Sequence, residues 1–182
     1  MAHISAAVEY GLHCLLFLVG RTPDEALPSV RDLAELQGVS PEYAAKIFTR
    51  MQKAGLVEAR EGVRGGICLA RNPSEISVLD VVRAIDGEKK LFDCREVRGG
   101  CAVFDGVPPK WATDGICGIH SLMLQAEARM REVLASRSLA ELSGGFRRKV
   151  PHAFFDDVEG WLDDRAASRG GERNPQDKGT SS

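Results

Sequence analysis

Apolar residues recur at helical spacing in several separate stretches of the chain, and between two of them the pattern switches to that of a short hairpin. The clearest stripe is Tyr43, Ala44, Ile47, Phe48 and Met51, one face of an amphipathic helix. Ser40 is a strong N-cap for it, Pro41 suits a first helical turn that needs no N–H, and Gly55 supplies a left-handed stop. Residues 56–60 and 67–69 then flank a turn around residues 62–66, which predicts a β-hairpin. Just upstream, Ser29 and Asp32 have the spacing of a capping box, with Asp in place of the usual Glu. That box opens a short helix through Leu33, Ala34 and Leu36; Gly38 makes the tight turn, and Ala34 and Gly38 are small enough for two helices to cross closely.

The remaining periodic segments frame this centre. Residues 5–20 read as a helix capped by Ser5, with Ala6, Tyr10, His13, Leu16 and Phe17 on one face, apolar residues on the other faces that make it largely buried, and Glu9 beside His13 one turn apart. Ser77 and Asp80 cap another short helix, whose Val78, Leu79, Val81, Val82 and Ile85 pack on the same core. Periodicity is lost over 88–116 and returns at Cys117. Ile119, Leu122, Met123, Ala126, Met130, Val133 and Leu134 form a stripe close to heptad spacing, which reads as a dimerisation helix. Phe154, Phe155, Val158, Trp161 and Leu162 mark a last helix, and the polar residues 166–182 are expected to be disordered. The fold expected is mainly α with a small β-hairpin wing: a winged helix-turn-helix domain (1–87), a cysteine-bearing sensor loop (88–116), a dimerisation helix and connection (117–150), a C-terminal amphipathic helix (151–165) and a tail.

Charge changes this picture by its placement. The 182-residue chain has a formal net charge of −2, which by itself does not indicate a nucleic-acid binder. Between residues 40 and 71, however, six Lys/Arg stand against three Glu, a net of +3, leaving −5 for the rest. The basic charge sits on the stripe's polar side and on the hairpin, where a recognition helix and a wing meet double-stranded DNA. Candidate DNA-binding residues are Ser40, Glu42, Tyr43, Lys46 and Arg50 on the helix, and Arg60, Arg64 and Gly65 on the wing. No nucleotide loop, catalytic triad or pocket motif accompanies them, so neither an enzyme nor an organic substrate is implied. The apolar run at 15–19 is too short to span a bilayer and no basic residue precedes it; a cytoplasmic protein is expected. The five cysteines are then reduced, and their clustering points to a metal or redox site over a disulfide framework.

The pieces VEYGLHCLLFL, VSPEYAAKIFTRMQKAGLVEAREGVRGG and EISVLDVVRAIDG, followed by loop cysteines and a long helix, together resemble the Rrf2 family of winged-helix regulators over residues 4–136. The resemblance implies a DNA-binding homodimer, more often a repressor, with an iron–sulfur cluster in the cysteine loop sensing redox state, nitric oxide or iron–sulfur supply. The chain departs from the family at Ile67, where Tyr is common, and in the fifteen residues between Cys101 and Cys117. Three soft thiolates, Cys94, Cys101 and Cys117, suit iron–sulfur or zinc. Two completions are open: His120, one turn beyond Cys117, or Glu9 with His13, contributed across the dimer. The latter arrangement occurs in a branch of the family with the same opening run and a two-iron cluster. A [2Fe–2S] cluster is favoured and [4Fe–4S] is possible. Arg95 and Arg98 beside Cys94 are expected to lower thiol pKa values, whereas Cys14 and Cys68 read as small core residues. The alternatives are a cluster-free thiol or zinc switch, or an iron–sulfur redox protein.

Overall fold

Three Ser-x-x-acid capping boxes and a Ser-Pro start set the beginnings of four helices in the computed structural model, which describes residues 4–22, 25–62 and 65–171. In order, the elements are α1 Ala6–Leu16, α2 Val30–Leu36, α3 Pro41–Lys53, β1 Val57–Arg60, β2 Gly66–Leu69, α4 Val78–Asp86, α5 Lys110–Thr113, α6 Gly118–Ala135, α7 Leu139–Lys149 and α8 His152–Gly171, with short 3₁₀ turns between them. Helices α2 and α3, joined through Gly38 at φ +64°, and the antiparallel pair β1–β2 make a winged helix-turn-helix. The strand register pairs Val57 with Leu69 and Arg60 with Gly66. On the other edge of β2, the Ile67 N–H donates to the Pro28 carbonyl at 2.8 Å. The wing is thereby tied to the segment that enters α2.

The core gathers Leu15, Leu18, Leu33, Met51, Leu56, Ile76, Val81 and Leu139 from most of these elements. Helix α1 buries Ala7, Val8, Gly11, Cys14 and Leu15, whereas Ala6, Tyr10 and His13 are exposed, so the helix is buried on one side and not nearly all round as expected. A close crossing selected the small side: a Cβ on Gly11 would lie 2.5 Å from Ile85 Cδ1 and 3.4 Å from Ile47 Cγ2. Ser5 has extended N-cap angles but makes no side-chain cap. Its hydroxyl donates to Asp86 Oδ1 at 2.6 Å and its N–H to Oδ2 at 2.8 Å, joining the start of α1 to the end of α4. Cys14 and Cys68 are buried; burial pushes the Cys14 thiol up to about 12.

Two segments differ from expectation. The connection after the long helix is itself a helix, α7, opened by the Ser138–Glu141 capping box and fastened by Val78 N–H to Arg137 O at 2.9 Å and Leu139 N–H to Ile76 O at 2.8 Å. The last helix does not end at residue 165. Val158, Leu162 and Ala166 continue one buried stripe, and α8 runs through Gly171; residues 172–182 lie outside the described residues. The single stripe read on α6 also divides. Met123, Met130 and Leu134 are half-buried, beside α4, whereas Ile119, Leu122 and Val133 are exposed, at 61–64%. Among the described residues no helix is long and apolar enough to cross a membrane.

Candidate functional site

Helix α3 turns Ala44, Ile47, Phe48 and Met51 inward, so its opposite side carries the polar residues outward. Ser40 is consumed partly by the fold, its hydroxyl accepting the Tyr43 N–H at 3.2 Å. Glu42, Tyr43 and Lys46 are exposed. The Tyr43 ring, read as part of the buried stripe, stands edge-on to Tyr10 at 6.0 Å and is fixed there. Lys46 is exposed and no ion pair holds it among the described residues. Arg50 differs: its guanidinium donates to the Ile85 carbonyl at 2.6 Å, tying the end of α3 to the end of α4.

On the wing, Arg60 Nε and Nη2 reach Glu58 Oε1 at 3.0 and 2.9 Å. The Arg60 guanidinium, helped by the Cys68 thiol, holds the Glu58 carboxyl below its usual range. Gly65 has a steric role: its N–H donates to Gly62 O at 3.1 Å, and a Cβ there would lie 2.3 Å from the Arg60 carbonyl. Arg64 lies outside the described residues.

The cysteine loop is pinned at both ends. Near its start, Leu91 N–H donates to Glu127 of α6 at 3.0 Å, and Arg131 of α6 bonds Glu127, Glu88 and the Lys89 carbonyl. Near its end, Arg98 is gripped by Glu96 at 2.6 and 3.0 Å and donates to the carbonyls of Thr113, Asp114 and Gly115. Cys94 and Cys117 both lie within the field of Arg98. Cys117 is the N-cap of α6, where the N–H groups of His120 and Ile119, then the Arg98 charge, pull its thiol below the usual value. A helix start favours a thiolate for the same reason it favours any anion. The thiol that the fold depresses is Cys117, at the start of α6.

Other candidate donors are less closely gathered. His120 sits in the first turn of α6 with its ring 6.0 Å from that of Phe92, and its charge is felt by Glu96. Cys101 is exposed, leading a 3₁₀ turn. Glu9 and His13 line a groove of about 640 Å³ whose apolar walls include Leu12, Leu16, Val82, Leu134 and Leu142. Among the described residues no three His, Cys, Asp or Glu side chains converge as a ready metal site within one protomer. The chemistry of the donors still suits a soft centre: two thiols beside a cation, one with a depressed pKa, and an imidazole one helical turn away. Sequence reasoning missed Glu96, Glu127 and Arg131; the Glu127–Arg131 pair, four residues apart, was a legible signal.

The model of the Rrf2 family, described as iron-dependent transcriptional regulators, matches residues 4–144. The chain belongs to the Rrf2 family. It is 31% identical to the HTH-type transcriptional regulator NsrR of Geobacillus kaustophilus over 134 residues, which are 74% of this chain and 84% of that protein. Identity is also 31% to the regulator IscR of Photorhabdus laumondii over 133 residues, 73% of this chain and 74% of that one. Among solved structures, CymR, the global cysteine regulator of B. subtilis, superimposes with a TM-score of 0.62 at 23% identity, covering 79% of this chain and 98% of that one. This Rrf2 protein is therefore a DNA-binding transcription regulator, not an enzyme, built on the winged-helix fold. Helix α8 lies beyond the segment that the family model matches.

Proposed function

We propose that this Rrf2 protein is a cytoplasmic homodimer, acting as a repressor, that reads operator DNA with α3 and the wing and reports on an iron–sulfur group held by the cysteine loop. The observation that carries the reading is the placement of Cys94 and Cys117 around Arg98 at the N-terminus of α6. Cys94, Cys117 and His120 would hold the group, completed by Cys101 or by Glu9 and His13 of a second copy, and the family's description as iron-dependent agrees with that donor set. A [2Fe–2S] cluster is favoured and [4Fe–4S] possible. Thiolate-held iron supplies a centre whose charge and redox state change with its environment.

The rest is done by the chain itself. Arg98 fastens residues 113–115 to the loop, and Glu127 and Arg131 fasten the loop's start to α6, so a rearranged loop loads both ends of that helix's first four turns. The exposed Ile119, Leu122 and Val133 face suits a second copy. Two α3 helices in such a dimer must meet half-sites roughly 34 Å apart, and a shift of a few ångström spoils simultaneous docking. Lys46 is the best placed phosphate contact, because Arg50 and Arg60 already have partners.

Anaerobic purification followed by visible absorption, iron and acid-labile sulfide analysis tests the proposal, with Cys117→Ala, Cys101→Ala and Glu9→Ala beside the parent. A coloured parent, a colourless Cys117→Ala and a promoter affinity that changes with oxidant are expected. A colourless, iron-free parent whose DNA affinity ignores oxidant would sink it. The exposure of Cys101 favours one second reading, a cluster-free thiol switch. An iron-free parent whose affinity still responds to oxidant would assign that instead.

A further inference from the structure

Arg169, near the end of α8, occupies a junction that the winged-helix core does not close by itself. Its guanidinium pairs with Asp32 and donates to the Leu27 carbonyl at 2.9 Å. Asp32 is only 4% exposed, and its Oδ2 also accepts the Ser29 N–H at 2.8 Å, which closes the capping box that starts α2. A carboxylate buried to that degree requires a charged or hydrogen-bonding partner. The adjoining backbone of Leu27 and Pro28 lies against β2, where a Cβ on Gly66 would meet the two carbonyl oxygens at 2.4 and 2.6 Å. One side chain therefore touches both the start of the helix-turn-helix and the segment that seats the wing.

Four residues earlier, Arg165 stacks over Trp161 at 4.6 Å and pairs with Glu35 at the other end of α2. Toward its own N-terminus, α8 leans on α7: Phe155 meets Phe146 at 5.6 Å, and Arg147 covers the Phe155 ring at 4.8 Å. Between these two anchors Val158, Leu162 and Ala166 are buried. Helix α8 thus runs from α7, the helix following α6, to α2 along one continuous packed face.

We propose that α8 is a brace for the DNA-reading unit, with Arg169 and Arg165 as positioning residues that set α2, and through it α3, against the wing. The proposal rests on the assignment of α3 and the wing as the DNA-reading surface. Loss of the brace loosens the relative placement of helix and wing, and sequence-selective binding depends on that placement more than phosphate attraction does.

The test uses the full chain, purified anaerobically, with two duplex probes of equal length: one recovered by the parent protein from a random-sequence pool and one of unrelated sequence. Arg165→Ala/Arg169→Ala is expected to bind the recovered duplex about ten-fold more weakly and the unrelated duplex less than about two-fold more weakly, a loss of selectivity of at least about five-fold. The charge swap Glu35→Arg/Arg165→Glu should bind the recovered duplex more tightly than Arg165→Ala alone. An unchanged affinity for the recovered duplex in the double variant, an equal loss on both duplexes, or a swap as weak as Arg165→Ala would each overturn the brace. Lys46→Ala serves as the control on the reading beneath it. If Lys46→Ala weakens binding while the double variant does not, the brace falls and the α3 assignment stands. If Lys46→Ala affects neither duplex, the α3 assignment falls and the brace falls with it.

Discussion

Ser5 and Asp86 lie 81 residues apart, and their contact joins the first helix to the end of α4. Burial pushes the Asp86 carboxyl up, but the Ser5 hydroxyl and N–H, with Lys89, more than offset this and hold it below its ordinary value. Because the folded pKa is depressed, the contact stabilises the fold above the unfolded pKa, about 4, and that contribution is lost as pH falls through the folded value. Ser5→Ala is expected to cost about 1 kcal/mol in urea unfolding at pH 7. Its difference from the parent should shrink as the pH falls below the ordinary carboxylate range, where Asp86 protonates in both chains. A gap that stays constant down to pH 2 would mean that the hydroxyl contributes only as a neutral hydrogen bond. On the polar side of α3, exposure in a pattern likewise does not make a side chain available, since the Arg50 guanidinium already holds the Ile85 carbonyl.

At the level of elements, local chemistry predicted starts better than ends and faces. The capping boxes at Ser29 and Ser77, the Ser40–Pro41 start and the Gly55 stop at φ +67° stand where the pattern puts them. The box at Ser138 obeyed the same rule, so α7 was legible too. Faces fared worse, because helical period defines stripes but not which stripe meets a neighbour. Small Gly11 drew three helices together and displaced Tyr10 outward, and the α6 stripe was shared between α4 and the exterior. The wing depends on a similar close approach at Gly66, where the obstacles to a Cβ are backbone carbonyls that cannot swing aside. Gly66→Ala should therefore destabilise the chain by about 2 kcal/mol, a typical cost of overpacking, and weaken DNA binding further than that loss of folded protein explains. Equal stability and affinity would show that the Leu27–Pro28 segment yields freely.

For the molecule as a whole, the exposed line of Ile119, Leu122 and Val133 on α6 and the open groove along α1 are apolar surfaces that the proposed second copy would cover. Leu122→Glu should convert a dimer to a monomer in sedimentation velocity while leaving the far-ultraviolet helical signal intact, since Leu122 is 61% exposed in one protomer. A variant still dimeric at micromolar concentration would move the interface elsewhere. The amino-acid order alone determined the winged helix-turn-helix, its caps, its basic surface and the thiol-bearing loop, because those features depend on neighbours within a few residues. Only tertiary packing decided that the Arg98 charge bears on Cys117 and that Arg169 reaches Asp32. Arg98 and Cys117 are 19 positions apart and Asp32 and Arg169 are 137 apart, and such relations are settled by which faces pack, not by any local pattern.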